Sequence, residues 1–159
     1  MKPYLTVYTL TPSETFRIGY EIGIRLTGGE VILLFGPLGA GKTCFVQGVA
    51  AGLGIEDVSS PSYILVSQTE GRLRLFHIDA YRLEGDTAQL PEIGLDVCFD
   101  GASVCVVEWA DRLAAWFPPD HLEIYFSHEP EGRRLEFCPV GDRYISFVEE
   151  LRSVVAPGN

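Results

Sequence analysis

Between an apolar run, EVILLF, and a helix-forming run, KTCFVQGVAAGLG, the chain places the octapeptide GPLGAGKT, residues 36–43, which satisfies the spacing G-x-x-x-x-G-K-[ST] in full. The continuously apolar run is the pattern of a strand covered on both faces. The run after the loop predicts a helix that ends near Gly52 or Gly54. In that setting Gly39 and Gly41 let backbone N–H groups turn inward with no Cβ in the way, and the helix start offers its unpaired N–H groups to phosphate oxygens. Lys42 is placed to reach the β- and γ-phosphates, and Thr43 to offer its hydroxyl to Mg²⁺. The expected nucleotide-contacting stretch is Gly36, Pro37, Leu38, Gly39, Ala40, Gly41, Lys42, Thr43 and Cys44. The plain alternative is a tight turn carrying a surface lysine.

A phosphate loop does not by itself choose the base. Guanine readers use an Asn-Lys-x-Asp element, but the single asparagine here is Asn159, and no D-x-x-G follows the loop. ATP is therefore the expected nucleotide. Magnesium needs further oxygen ligands, usually a carboxylate where an apolar strand runs out near the loop. Two segments supply one: SVCVVE ends in Glu108 and RLFHID ends in Asp79. A buried run ending in a charge wastes desolvation energy unless the charge meets a cation or water. Lys42, Asp79 and Glu108 are the expected catalytic residues, and Thr43 with one of the two acids the expected metal residues; which acid touches the ion and which positions water is open.

His77 precedes Asp79 by two positions, so on a strand both side chains share a face. It either supports the site or is a packed core histidine. Ser60 and Ser62, around Pro61, occupy the place of a segment that closes on a γ-phosphate, or else a simple helix-to-strand turn. Arg82 and Arg112 are candidates for a phosphate or a partner carboxylate, against a solvated alternative. Arg72, Arg74, Arg133 and Arg134 are the arginines from which any small basic patch would have to be assembled. His121 and His128 are expected in solvent. No His/Cys spacing suits zinc, and no Ser-His-Asp arrangement is present.

The chain of 159 residues reads as one domain, 1–159, with a short flexible tail from about 155. A formal net charge of -10 repels phosphate backbones, so no stable nucleic-acid binding is expected of the protein alone. Scattered cysteines in apolar runs, no leader-like segment and no apolar stretch of membrane-spanning length give a cytoplasmic expectation. Further strands are predicted over 4–10, 63–68, 72–78 and SVCVV, with a hairpin of HLEIYFS and RRLEFCPV. A helix from Pro12, capped by Thr11 with Glu14 closing the box, is predicted to run to about Leu26 before Gly28 and Gly29. WADRLAAWF and DRYISFVEELRSVV are predicted helices, the latter with Asp142 as cap. The order implies an α/β fold with a mixed central sheet flanked by helices.

The combination LGAGKT, SSPSYILV, FHIDAYRL, EIGLD and VVEWADRL resembles the TsaE (YjeE) family, from about Thr11 to Leu113 and more loosely to the end. The resemblance implies a single-domain P-loop nucleoside triphosphate hydrolase fold and slow, Mg²⁺-dependent ATP hydrolysis. It also implies cooperation with TsaB and TsaD, which place threonylcarbamoyl on adenosine 37 of ANN-decoding tRNAs, with tRNA met only through that complex. By matching motif, Lys42 and Thr43 hold phosphate and metal, Glu108 is the metal-associated carboxylate, Asp79 the acid of hydrolysis, and Trp109 a tryptophan near the nucleotide. Ser62 stands for a family threonine, Tyr63 for a phenylalanine, and Pro37 for a frequent acidic residue. Val97 and Cys98 replace acidic and aromatic residues on a segment that bears on partner docking. The rivals are a small-molecule kinase, which must yield a phosphorylated acceptor, and a nucleotide-sensing adaptor, which needs Lys42 but not Asp79.

Overall fold

A computed structural model describes residues 3–56, 66–80, 95–111 and 117–155 of the chain. Seven strands form one sheet in the order β1-β7-β6-β2-β5-β4-β3. They are β1 (Leu5–Thr9), β2 (Val31–Phe35), β3 (Val66–Thr69), β4 (Leu75–Asp79), β5 (Val104–Glu108), β6 (His121–His128) and β7 (Arg133–Val140). β6, β2, β5 and β4 run parallel, while β7 pairs antiparallel with β6 and β1, and β3 antiparallel with β4. The expected mixed sheet is therefore present, with the expected β6–β7 hairpin and an antiparallel β3–β4 pair beside it.

Helices α1 (Pro12–Gly23), α2 (Lys42–Gly52) and α3 (Asp142–Val155) pack on one face of the sheet. Ile18 and Ile22 of α1, Phe45 and Val49 of α2, and Val148 and Leu151 of α3 meet Ile32, Leu34, Val106 and Ile124 of the strands there. The opposite face buries Val31, Leu33, Phe76, Ile78, Cys105 and Val107 against Cys98 of a 3-10 helix, Leu95–Phe99, that the sequence did not signal. Strands between two apolar layers need apolar residues at every position, which is why VILLF carries no alternation. The four cysteines form no disulfide.

α1 begins as predicted. Thr11 accepts from the Glu14 N–H, and the Glu14 carboxylate returns a bond to the Thr11 N–H at 3.1 Å. Its end comes earlier than Leu26. The last regular bond joins Ile24 N to Tyr20 O, after which Arg25 and Leu26 bond three residues back to Ile22 and Gly23. The chain is then turned by Glu30, whose buried carboxylate accepts from the N–H groups of Thr27 and Gly28 at 2.8 and 2.7 Å. β4 likewise starts at Leu75 rather than 72, because Arg72 N bonds to Leu53 O at 2.7 Å and leaves the ladder. At α3 the Gly141 carbonyl accepts from Tyr144 and Ile145, so Gly141 is the cap and Asp142 the first helical residue, where its charge suits the helix dipole.

Residues 63–65, most of 109–117 and the segment 156–159 lie outside the described residues, as do Ser60, Pro61, Ser62, Tyr63, Arg82 and Arg112. No helix among the described residues is long and apolar enough to cross a membrane.

Candidate functional site

β2, β5 and β4 are parallel neighbours, so their carboxyl ends open on one side of the sheet, the usual ligand side of such sheets. The loop after β2 enters α2 through Gly41, whose φ of 103° is the left-handed region closed to most side chains. No side chain caps α2, so the N–H groups of its first turn stay available to an anion. The tip of the β6–β7 hairpin braces the loop from outside: Arg133 Nη2 donates to Gly39 O at 3.1 Å, and His128 Nε2 lies 3.4 Å from Leu38 O. Sequence reasoning missed this brace, since it depends on β6 lying beside β2.

Lys42, 5% exposed, turns back into the loop. Its Nζ donates to the carbonyls of Gly36 and Pro37 and sits 3.7 Å from the centroid of the Trp109 ring. Burial pushes the Lys42 ammonium below its ordinary pKa, while the charges of Glu108, Asp111 and Asp79 push it back up. Asp111 was not singled out from sequence, because it lies past the strand end where no periodic pattern places it. Trp109 is the one non-glycine with positive φ among the described residues, at 58°. That conformation costs an ordinary residue ~1–2 kcal/mol, and here it folds the indole over the lysine.

Asp79 and Glu108 stand opposite each other in the β4–β5 register. Thr43 Oγ1 donates to Glu108 Oε1 at 3.3 Å, and His77 Nε2 lies 2.5 Å from Glu108 Oε2. A cleft of about 300 Å³ is lined by Leu38, Gly39 and Gly41, by Lys42, Thr43 and Cys44, and by Asp79, Glu108 and Trp109. Within the stretch expected to touch nucleotide, the Ala40 side chain packs into the core, and the carbonyls of Gly36 and Pro37 accept from Lys42. A second hollow of about 160 Å³ shares Gly39, Gly41 and Cys44 with the cleft and is bounded by Thr9, Thr11, Thr15 and Arg133.

The donor set suits a hard cation. Thr43 and the carboxylates of Asp79 and Glu108 offer oxygen only, the ligand type of magnesium. Among the described residues no group of three or more His, Cys, Asp or Glu forms a self-sufficient metal cage. Magnesium bound beside a nucleotide does not need one, because phosphates and water supply most of its shell.

One sequence expectation changes here, and one open question is answered. His121 is not solvated: its side chain is 14% exposed, with Nε2 at 2.8 Å from Glu123 and Nδ1 at 2.9 Å from Pro118 O. The arginines do not form one patch, since Arg72 bonds Gly23 O at 2.8 Å near the end of α1, while Arg133 braces the loop at the far end of the sheet.

Comparison with known proteins places these features in company. The family model described as threonylcarbamoyl adenosine biosynthesis protein TsaE matches residues 9–135. The tRNA threonylcarbamoyladenosine biosynthesis protein TsaE of Bacillus subtilis (strain 168) is 39% identical over 146 residues, 90% of each chain. Its namesake in Treponema pallidum (strain Nichols) is 42% identical over 122 residues, 76% of this chain and 90% of the relative. Among solved structures, that of Bacillus subtilis YdiB superposes with a TM-score of 0.77 at 36% identity, covering 92% of this chain and 93% of the other.

Proposed function

The chain belongs to the TsaE family, and from that premise we infer that it binds ATP with Mg²⁺, hydrolyses it slowly, and acts as a nucleotide switch on the TsaB–TsaD complex in threonylcarbamoyl modification of adenosine 37 of ANN-decoding tRNAs. The observation that carries the reading is the meeting of Lys42, Thr43, Asp79, Glu108 and Trp109, from three separate segments, in one cleft.

The loop and the first turn of α2 present N–H groups to the phosphates, and Lys42 exchanges its two carbonyl partners for phosphoryl oxygens. That exchange is favourable because a charged donor gains more from an anion than from neutral carbonyls. Thr43 and Glu108 would hold the magnesium ion, which when bound offsets charge on the transferred phosphoryl group. Asp79 orients and deprotonates the attacking water from the neighbouring strand end. Trp109, fixed over Lys42, narrows the cleft and keeps the lysine from swinging into solvent. The hollow beyond Cys44 receives the base and ribose against its largely apolar lining, which includes Leu10, Pro12 and Cys44. Ser60 and Ser62 complete the γ-phosphate side in this reading. With one side-chain acid near the attack line and no further base on the loop, turnover is slow, which suits a protein that resets a partner.

The test is reconstitution. Unmodified tRNA supplied with TsaB, TsaD and this protein is expected to be modified over many turnovers. Asp79→Asn is expected to keep ATP binding while lowering hydrolysis by about 10²-fold or more, and to hold modification near a single round. Multiple-turnover modification that survives omission of the protein would remove the pathway reading. A phosphorylated acceptor in place of free phosphate would make it a kinase.

A further inference from the structure

His77 is the buried polar side chain that the account of the cleft leaves without a task. Its side chain and that of Glu108 are each 6% exposed, and His77 Nε2 lies 2.5 Å from Glu108 Oε2. An ionised carboxylate only accepts, so Nε2 carries the hydrogen of that bond. Nδ1 is buried with no hydrogen-bond partner. The hydroxyl of Ser67 is also buried with none, and Ser67 is the in-register neighbour of His77 across the β3–β4 ladder. In-register side chains stand on the same face with Cβ atoms about 5 Å apart, and a hydroxyl hydrogen rotates freely. Neither atom bonds the other, so each bears a desolvation penalty that a hydrogen bond would offset.

We propose that His77 is a positioning residue for Glu108, so that His77, Glu108 and Thr43 act as one chain. The inference rests on the reading of Glu108 as the magnesium-associated carboxylate. The terminal torsion of a glutamate is broad, and a lone Glu108 would present either oxygen to the cleft. His77 occupies Oε2, which leaves Oε1 toward Thr43 Oγ1. The same strand carries His77 and Asp79 on one face, two residues apart, so the brace of one acid and the placement of the other share a single backbone segment. This is the outer support that metal-binding side chains ordinarily have, here directed at a carboxylate.

The test uses the full chain and measures ATP affinity by calorimetry across a magnesium series, with thermal melting of each variant as a folding control. His77→Phe keeps ring volume and loses the donor; His77→Gln returns an N–H near the Nε2 position. The magnesium concentration for half-maximal ATP binding is expected to rise about 10-fold or more in His77→Phe, the range seen when such supports are removed, while ATP affinity without magnesium stays at the unsubstituted value. His77→Gln is expected to recover most of the shift. An unchanged magnesium requirement in folded His77→Phe, or equal shifts in His77→Phe and His77→Gln, would overturn the positioning role. Unsubstituted protein that binds ATP without regard to magnesium would instead defeat the functional reading itself, and this inference with it.

Discussion

Lys42→Ala is expected to weaken Mg·ATP binding about 100-fold, taking ~3 kcal/mol for a charged hydrogen bond to phosphate and a factor of ten per ~1.4 kcal/mol. The loss should appear in equilibrium titration, with hydrolysis falling below detection at ordinary nucleotide concentrations. The fold should survive. In the free protein Lys42 is desolvated, which lowers its pKa, so its ammonium is not a strong source of native stability. Lys42→Met separates charge from packing, because it keeps a long apolar stem against the Trp109 ring. Equal loss in both variants is expected; affinity retained by Lys42→Met would show that the stem, not the ammonium, carries binding.

Gly48→Val is expected to lower stability by ~3 kcal/mol or more, at the upper end for an overpacked core site, and the melting temperature by about 10 °C. The helices α1 and α2 cross so closely that backbone lies on backbone. A Cβ at Gly48 would overlap the Phe16 carbonyl, and one at Gly19 the Phe45 carbonyl. Neither neighbour is a flexible side chain that can swing away. The consequence reaches the cleft, because α2 carries Lys42 and Thr43 on its first turn and is seated by this crossing. Thermal melting checks the first effect and ATP titration below the melting range the second. A melting temperature within 2 °C or so of the unsubstituted value would show that the crossing opens easily.

The glycine turn that enters α2 was legible in the sequence because its geometry is local. Eight consecutive residues, an apolar run before and a helix after are all the information the turn needs. Asp79 and Glu108 were legible for a different reason: a charge ending an apolar strand has to be accounted for by something outside the strand. That both strands are parallel neighbours of β2, with the two acids in register, is a matter of sheet order, which no local pattern encodes. The same limit hid the brace of Arg133 on Gly39, since it joins residues 94 positions apart.

Trp109 was identified through family likeness, yet its backbone conformation and its seat over Lys42 were not readable, because a positive φ is imposed by surroundings rather than preferred by tryptophan. The helix predicted to reach Leu26 ends at Gly23 because Glu30 captures the turn, a bond from a residue that the pattern assigned to the start of a strand. His121 read as solvent-facing from its place at a strand end, and is held by Glu123 two residues on, the same-face spacing of a strand.

The most direct measurement is calorimetric titration of the full-length, cooperatively melting protein with ATP, with magnesium and with the ion chelated. The account predicts one saturable site whose affinity depends on magnesium and is lost in Lys42→Met. Folded protein that takes up no ATP in the presence of magnesium, or binds it equally well without the ion and without the lysine, would contradict it.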